Sequence, residues 1–175
     1  MRALGPGSVS SFLKIILDVV FVALWITLGA VTLALLAALL FSFNPSLLLS
    51  SIRSPDAAEL VARGPLFAGM LFAFGLSVAG VLVIVHSLRR IFVTLTAGDP
   101  FHPDNVGRLR LIGVMLAALE LGRYAVWGIS SWAPLVDRVE PNFSLTAWFS
   151  VLVVFVLAEV FREGARLRRE AELTI

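Results

Sequence analysis

Hydrophobic residues in this chain fall in long blocks, and short polar segments separate the blocks. The first two, Val19–Phe41 and Pro65–Val85, contain no charged residue over 23 and 21 positions. A third block, Leu111–Trp132, includes two charges, and a fourth, Phe143–Ala158, extends to Phe161. A helix needs about 20 apolar residues to cross the ~30 Å hydrocarbon core of a bilayer. The pattern therefore predicts four membrane spans, at about residues 15–42, 65–88, 107–132 and 143–162.

Composition favours a membrane protein over a soluble domain. Hydrophobic residues make up 59% of the chain and charged residues only 15%, whereas soluble domains are about a quarter charged. The mean hydropathy of +0.95 agrees. We therefore expect an all-α integral membrane four-helix bundle that forms a single domain over residues 1–175. The first block exceeds the roughly 7–15 apolar residues of a cleaved signal peptide, so we expect it to be retained as a span.

The basic residues predict which side of the membrane each end of the helices faces. Short cytoplasmic loops are enriched in Lys and Arg. Only three loop bases lie at one end of the predicted spans: Arg53, Arg63 and Arg138. Ten lie at the other end: Arg2, Lys14, Arg89, Arg90, Arg108, Arg110, Arg162, Arg166, Arg168 and Arg169. We therefore expect both termini, the loop at about 89–106 and the tail at about 163–175 to be cytoplasmic.

Helical patterning continues beyond the second and fourth spans on this predicted cytoplasmic side. After the second span it runs through Leu95 and stops near Gly98. Two prolines and two aspartates at 99–104 then predict a turn, because proline resists the helix interior and aspartate favours caps. The fourth span continues into residues 159–175, which are charged and suited to a helix apart from Gly164.

The opposite, outer side is predicted to carry little folded structure. Ser54-Pro55 resembles an N-cap followed by proline at the first helical position, and Gly64 stands where a C-cap belongs. A short separate helix at about 55–63 is therefore expected on the outer membrane surface. Three tryptophans near this boundary are typical of an interfacial aromatic belt rather than a substrate platform: Trp127, Trp132 and Trp148.

Glu120 and Arg123 are ionisable residues inside the third predicted span. They are three residues apart, so they share one helix face. Ionisable groups at membrane depth are costly unless they are paired or hydrated, and they often mark function. The sequence favours an internal ion pair that fixes helix packing, and it leaves open a site for a ligand, an ion or a signal.

A second polar cluster is predicted where the spans meet the cytoplasmic interface. The sequence favours a structural cluster over a proton relay, because a relay needs a chain of titratable groups across the bilayer. The outer half of the predicted spans offers only the Glu120 and Arg123 region. The members of the predicted cluster are Lys14, Asp18, His86, Glu159 and Arg162.

Small residues recur on one face of the second predicted span. Gly69, Ala73 and Ser77 are spaced four residues apart, and Gly80 follows closely. Such spacing allows helix backbones to approach each other. The sequence favours packing within the bundle and leaves homodimerisation through this stripe open.

The chain lacks the residue patterns of known catalytic chemistries. It has no cysteine, which excludes disulfides, thiol catalysis and iron–sulfur clusters. Metalloprotease, nucleophile-elbow and phosphate-loop motifs are also missing. His102 with Asp99 and Asp104 is explained by loop capping rather than by a metal. We therefore expect no enzyme activity, cofactor or metal, and the net charge of +2 indicates no direct nucleic-acid binding.

Two blocks of residues resemble a family of small bacterial four-helix membrane proteins of unknown function. The first block is Gly98–Phe101 with Asn105–Gly113, and the second is the tail Leu157–Ile175. The likeness runs from the first span to the last residue. Members are often encoded beside a small helix-turn-helix regulator. The resemblance thus implies a multi-pass protein of the bacterial cytoplasmic (inner) membrane with a cytoplasmic partner.

These observations favour a non-enzymatic regulatory protein that binds, and sequesters or controls, a small helix-turn-helix transcription regulator. The tail has an equally simple interpretation as a solvated helix end. The alternative function is a ligand-sensing or transport domain centred on Glu120 and Arg123, although the spans show no pair of broken helices as in transporters. The residues expected to contact the partner are Phe101, Asn105, Arg108, Arg110, Arg166, Leu173 and Ile175.

Overall fold

The computed structural model describes residues 9–44, 57–132 and 143–173, and every element in these ranges is an α-helix. All four helices are long and apolar enough to cross a membrane. The all-α prediction and the number of apolar helices of spanning length are thus confirmed for this part of the chain. The helices are α1 (Val9–Phe43), α2 (Ala57–Thr96), α3 (Pro103–Trp132) and α4 (Leu145–Glu172).

Helix α2 is longer than the predicted second span because it has no break on the outer side. The short helix expected at 55–63 begins outside the described residues. From Ala57 onward, however, the chain is helical through Gly64 and Pro65 to Thr96. Gly64 is therefore not a C-cap. Proline removes one backbone donor from a helix, and membrane helices tolerate this loss because nearby groups satisfy the freed carbonyl.

Helix α4 has a clear start and extends well past the predicted fourth span. The Ser144 hydroxyl accepts a hydrogen bond from the backbone N–H of Ala147 at 3.2 Å, which makes Ser144 the N-cap. The apolar part of α4 then continues without interruption into the charged segment that ends at Glu172. The expectation of a helical tail is confirmed over this range.

One compact unit comprises Met1–Val22 with Gly80–Ile175. Helices α3 and α4 pack along each other in this unit, and at Gly113 an added Cβ would lie 3.0 Å from the Phe155 ring. The core residues recur every three or four positions, so each helix presents one apolar face. The buried core consists of Ile91, Leu109, Ile112 and Ala158, with Ile84, Leu88, Leu95, Leu116, Val154 and Phe161 packed against it.

The second unit comprises Ala23–Ala79, which includes most of the charge-free run of α1. A Cβ added at Gly75 would lie 3.3 Å from Val31, so a small residue permits this contact. Many large side chains of the unit are exposed, for example Ile26 and Leu33 at 69% each. Soluble proteins rarely expose so much apolar surface, and a lipid environment accounts for it.

Candidate functional site

The connecting turn, residues 97–102, joins α2 to α3 through a defined helix end. The Gly98 N–H donates to the Leu95 carbonyl at 3.1 Å, and the Asp99 N–H donates to the Thr94 carbonyl at 3.0 Å. These two bonds form a Schellman motif. The motif needs one residue with a left-handed backbone conformation. Gly98 supplies it with a φ of +83°, which glycine adopts at little cost. The turn expected after Gly98 is confirmed.

Asn105 fastens this turn to both helices. Its side chain is 0% exposed. The amide nitrogen donates to Thr94 Oγ1 at 2.7 Å and to the Pro100 carbonyl at 3.1 Å, and Oδ1 accepts from Arg108 Nη1 at 2.8 Å. A side chain with no accessible surface cannot touch a partner. The structure therefore corrects the expected contact role of Asn105 to one of holding the turn.

Helix α4 supports the same turn through one face of its charged end. We call Glu159–Leu173, which includes the C-cap residue Leu173, the α4 extension. Phe101 packs against Phe161 with ring centroids 5.7 Å apart, and a Cβ added at Gly164 would lie 2.5 Å from the Phe101 ring. Arg168 forms an ion pair with Asp99. The turn is thus held by the face of α4 that carries residues 161, 164 and 168, which are spaced three or four apart.

The opposite face of the α4 extension is exposed and carries a short ion-pair ladder. Arg166 lies between two acidic residues, with Nη2 3.1 Å from Glu163 Oε1 and Nε 3.3 Å from Glu170 Oε1. Leu167 is 55% exposed and Leu173 is 87% exposed. We call these five residues the outer face of the α4 extension. Acidic and basic side chains alternate along this face, and its two leucine side chains are accessible to solvent.

Asn105 is the only buried one among the expected contact residues that the structure describes, and Phe101 is 38% exposed although it packs on a neighbouring helix. Phe101 packs on α4, and Arg108 donates to the Arg90 carbonyl at 3.3 Å and lies 3.5 Å from Asp104. Arg110 is half-exposed and lies 3.9 Å from Glu159. Arg166 and Leu173 belong to the outer face, and Ile175 lies outside the described residues.

The structure distributes the predicted interfacial polar cluster over two places. Lys14, Asp18 and His86 line one cleft between α1 and α2. Glu159 instead forms ion pairs with Arg162 and Arg110 at the contact of α3 with α4. Position along the chain suggested one cluster because all five residues lie near the same end of their spans. The cluster is divided because Lys14, Asp18 and His86 lie where α1 faces α2, whereas Glu159 and Arg162 lie where α3 faces α4.

Glu120 is the centre of a polar network that joins α3 to α4. Its side chain is 9% exposed. Arg123 donates from Nη2 to Oε1 at 2.5 Å and from Nε to Oε2 at 3.2 Å, and the Tyr124 hydroxyl donates to Oε1 at 2.6 Å. The Trp148 indole N–H in turn donates to the Tyr124 oxygen at 3.3 Å. Both carboxylate oxygens therefore accept hydrogen bonds within the protein.

The predicted small-residue stripe on α2 includes both open and packed positions. No described atom lies within 4 Å of a Cβ added at Gly69, and the Ser77 hydroxyl donates to the Ala73 carbonyl in its own helix at 2.9 Å. A Cβ added at Gly80, by contrast, would be 2.9 Å from Leu119 of α3. Close packing through a small residue is thus seen at Gly80, and homodimerisation through the rest of the stripe stays a prediction.

Sequence reasoning missed several residues of these sites. Tyr124 is one turn beyond Glu120, so a four-residue spacing was the available signal. Gly164 was noted only as a weak helix former, and its role depends on a neighbouring helix. Arg89, whose Nε is 2.6 Å from Asp18 Oδ1, was counted only as a loop base. Among the described residues, no group of three or more His, Asp or Glu side chains is placed to hold a metal ion.

The fold and these sites define the chain as an α-helical multi-pass membrane protein. It belongs to the family described as "Protein of unknown function (DUF2975)", whose model matches residues 50–175. The matched range includes both motif blocks and begins after α1, whereas the resemblance was expected to start at the first span. No curated protein and no solved structure matches the chain.

Proposed function

We propose that this protein is a non-enzymatic regulatory protein of the bacterial cytoplasmic membrane that holds a soluble partner on its α4 extension. The partner class is a small helix-turn-helix DNA-binding regulator, as the family resemblance implies. The observation that carries the proposal is that one face of the α4 extension is docked on the connecting turn while the outer face is left exposed.

A helix that is already held in place suits partner binding, because association then immobilises few further side chains or backbone segments. Binding loses affinity when side chains and segments must first be immobilised. The α4 extension is already held by the Phe101–Gly164 contact and by the Asp99–Arg168 ion pair. Its outer face would therefore meet a partner in a nearly fixed position.

The outer face combines anchors and charges in the way that protein interfaces use them. Exposed apolar side chains such as Leu167 and Leu173 supply the buried contact area of an interface. The alternating charges of Glu163, Arg166 and Glu170 set orientation and discriminate against wrong partners. These residues take the place of the buried Asn105 among the proposed contacts, and Phe101, which is 38% exposed, stays a proposed contact beside them.

The basic residues support a cytoplasmic location for this surface. The α4 extension and the connecting turn lie at the end of the helices where ten of the loop bases are found. Enrichment of Lys and Arg in short loops favours the cytoplasmic side. A soluble transcription regulator is accessible only from that side.

Ligand sensing or transport at Glu120 and Arg123 is the other function that the sequence suggested. Both Glu120 oxygens accept hydrogen bonds from Arg123 and Tyr124. This arrangement favours an internal pair that fixes helix packing. A ligand site there is therefore not part of the proposal.

Co-purification tests the proposal. The full chain carries an affinity tag inserted near Ser50, is extracted from its native host in mild detergent, and its bound proteins are identified by mass spectrometry. We expect a stoichiometric helix-turn-helix protein with the unmodified chain. Leu167→Ala/Leu173→Ala should lower its recovery by at least tenfold, because each buried leucine anchor contributes about 1–2 kcal/mol.

A matched control distinguishes the loss of leucines from the outer face from the loss of exposed leucines elsewhere on the same helix. Leu152→Ala/Leu157→Ala removes two exposed leucines from the spanning part of the same helix. This variant should recover the partner as well as the unmodified chain does. Absence of a soluble partner from the unmodified chain, or equal losses in the two variants, would contradict the proposal.

A further inference from the structure

A basic cleft lies between the first turns of α1 and the last turns of α2. It encloses about 240 Å³ and includes Lys14, Asp18, His86, Arg89, Arg90 and Val93 in its lining. All of these residues belong to the compact unit that contains Met1–Val22 and Gly80–Ile175. None of them belongs to the outer face of the α4 extension.

Positive charge in this cleft exceeds what its one carboxylate can neutralise. Asp18 Oδ1 accepts from Arg89 Nε at 2.6 Å, and the Arg89 guanidinium lies over the Phe21 ring, 4.2 Å from its centroid. Lys14 and Arg90 are exposed and form no ion pair among the residues that the structure describes. Two basic side chains therefore line the cleft without an ion-pair partner in the described part of the chain.

The position of the cleft along both helices matches the level of lipid headgroups. The charge-free run of α1 begins at Val19, directly after Asp18, and the charge-free run of α2 ends at Val85, directly before His86. The hydrocarbon core extends only over such runs. The basic side chains thus lie where both helices leave the hydrocarbon, which is where phosphate groups of lipids are found.

We propose that this cleft binds the phosphate group of an anionic phospholipid. Lys14 and Arg90 are the direct contacts, and Asp18 holds Arg89 beside them. Basic pockets between membrane helices bind acidic headgroups in this way. Val93, which is 53% exposed, adds an apolar wall to the cleft. A free phosphate ion has the same chemistry as the headgroup, but the position of the cleft at the end of the hydrocarbon-spanning runs favours a lipid phosphate over a free one.

Native mass spectrometry of the full chain in detergent tests the proposal. Phosphatidylglycerol is titrated against phosphatidylcholine with the same acyl chains, and each titration is repeated with excess inorganic phosphate. We expect phosphatidylglycerol to bind in preference and to remain bound in phosphate. Lys14→Gln/Arg90→Gln should weaken its binding about thirtyfold, the change that roughly 1 kcal/mol per basic residue produces for two residues.

Two further variants make the result specific to the cleft. Arg162→Gln/Arg169→Gln removes the same charge from α4 and should bind phosphatidylglycerol like the unmodified chain. Lys14→Arg/Arg90→Lys keeps both charges and should also retain binding. Equal binding of the two lipids, or equal losses in the two charge-removing variants, would overturn the proposal. Displacement of the lipid by inorganic phosphate would overturn its lipid assignment in favour of a soluble phosphate.

Discussion

Asn105 and Glu120 are polar side chains enclosed by apolar helices, and each is kept there by its hydrogen bonds. A buried polar group without partners costs about 1–3 kcal/mol, and more if it is charged. Asn105 meets this requirement by donating hydrogen bonds to Thr94 and Pro100 and by accepting one from Arg108. Glu120 meets it through Arg123 and Tyr124. At the residue scale, these two positions therefore fix local geometry.

The Glu120 pair gives a prediction at this scale. Glu120→Leu should lower the free energy of unfolding by about 2–3 kcal/mol, because Arg123 loses its carboxylate partner inside the membrane segment. The value lies below the usual cost of breaking a buried pair, since the Arg123 side chain is 46% exposed. SDS-induced unfolding in mixed micelles measures the change.

The double variant Glu120→Leu/Arg123→Met is the matching control. Removal of both charges leaves no unpaired ion, so its loss of stability should be smaller than that of Glu120→Leu alone. If the single variant were as stable as the unmodified chain, the pair would have no structural role. The interpretation as a ligand site would then regain support.

The end of α2, the connecting turn, the start of α3 and the α4 extension depend on one another at the element scale. The Schellman motif at Gly98 directs the chain out of α2, and Asn105 joins the turn to the start of α3. Phe101 then packs against Gly164 of α4. The two motif blocks singled out in the sequence are therefore in contact at this end of the helices.

Gly164→Ala tests this coupling of the turn to α4. The added methyl group would lie 2.5 Å from the Phe101 ring, so the ring must leave its position. Overpacking of this kind costs about 1–3 kcal/mol. We expect lower thermal stability and faster proteolysis at residues 97–102, both measured on the purified protein.

Gly107→Ala serves as the control, because no described atom lies within 4 Å of its added Cβ. Alanine in a helix interior is favoured over glycine by roughly 0.5–1 kcal/mol, so this variant should be as stable as the unmodified chain or more so. Equal behaviour of the two variants would show that the Phe101–Gly164 contact does not hold the turn.

At the scale of the whole molecule, four apolar helices and the distribution of basic residues predict a membrane topology that labelling can test. The chain has no cysteine, so each introduced cysteine is the only reactive thiol. Ala97→Cys and Ala171→Cys lie in the connecting turn and the α4 extension. Ser54→Cys lies in the outer loop that the sequence predicts.

We expect a membrane-impermeant maleimide to modify Ser54→Cys in intact spheroplasts. Ala97→Cys and Ala171→Cys should react only after the membrane is opened, because the excess of basic residues predicts that their side faces the cytoplasm. The reverse pattern would remove the cytoplasmic surface on which the proposed regulator binding depends.

The sequence by itself determined the helical class, the four apolar segments and the turn after Gly98. These features depend on local properties: the length of an apolar run, the cost of proline within a helix and the conformational freedom of glycine. The uninterrupted path of α2 through Pro65 was missed, because local rules could not show that this proline stays inside a helix.

Only the tertiary structure decided which side chains meet. The burial of Asn105, the contact of Phe101 with Gly164 and the pairing of Asp18 with Arg89 each join segments that are separate in sequence. Hydrophobic periodicity shows which face of a helix is apolar but not which neighbour covers it. Helix packing brought the Asp99 turn and the Arg168 region of α4 together and left the outer face of the α4 extension exposed.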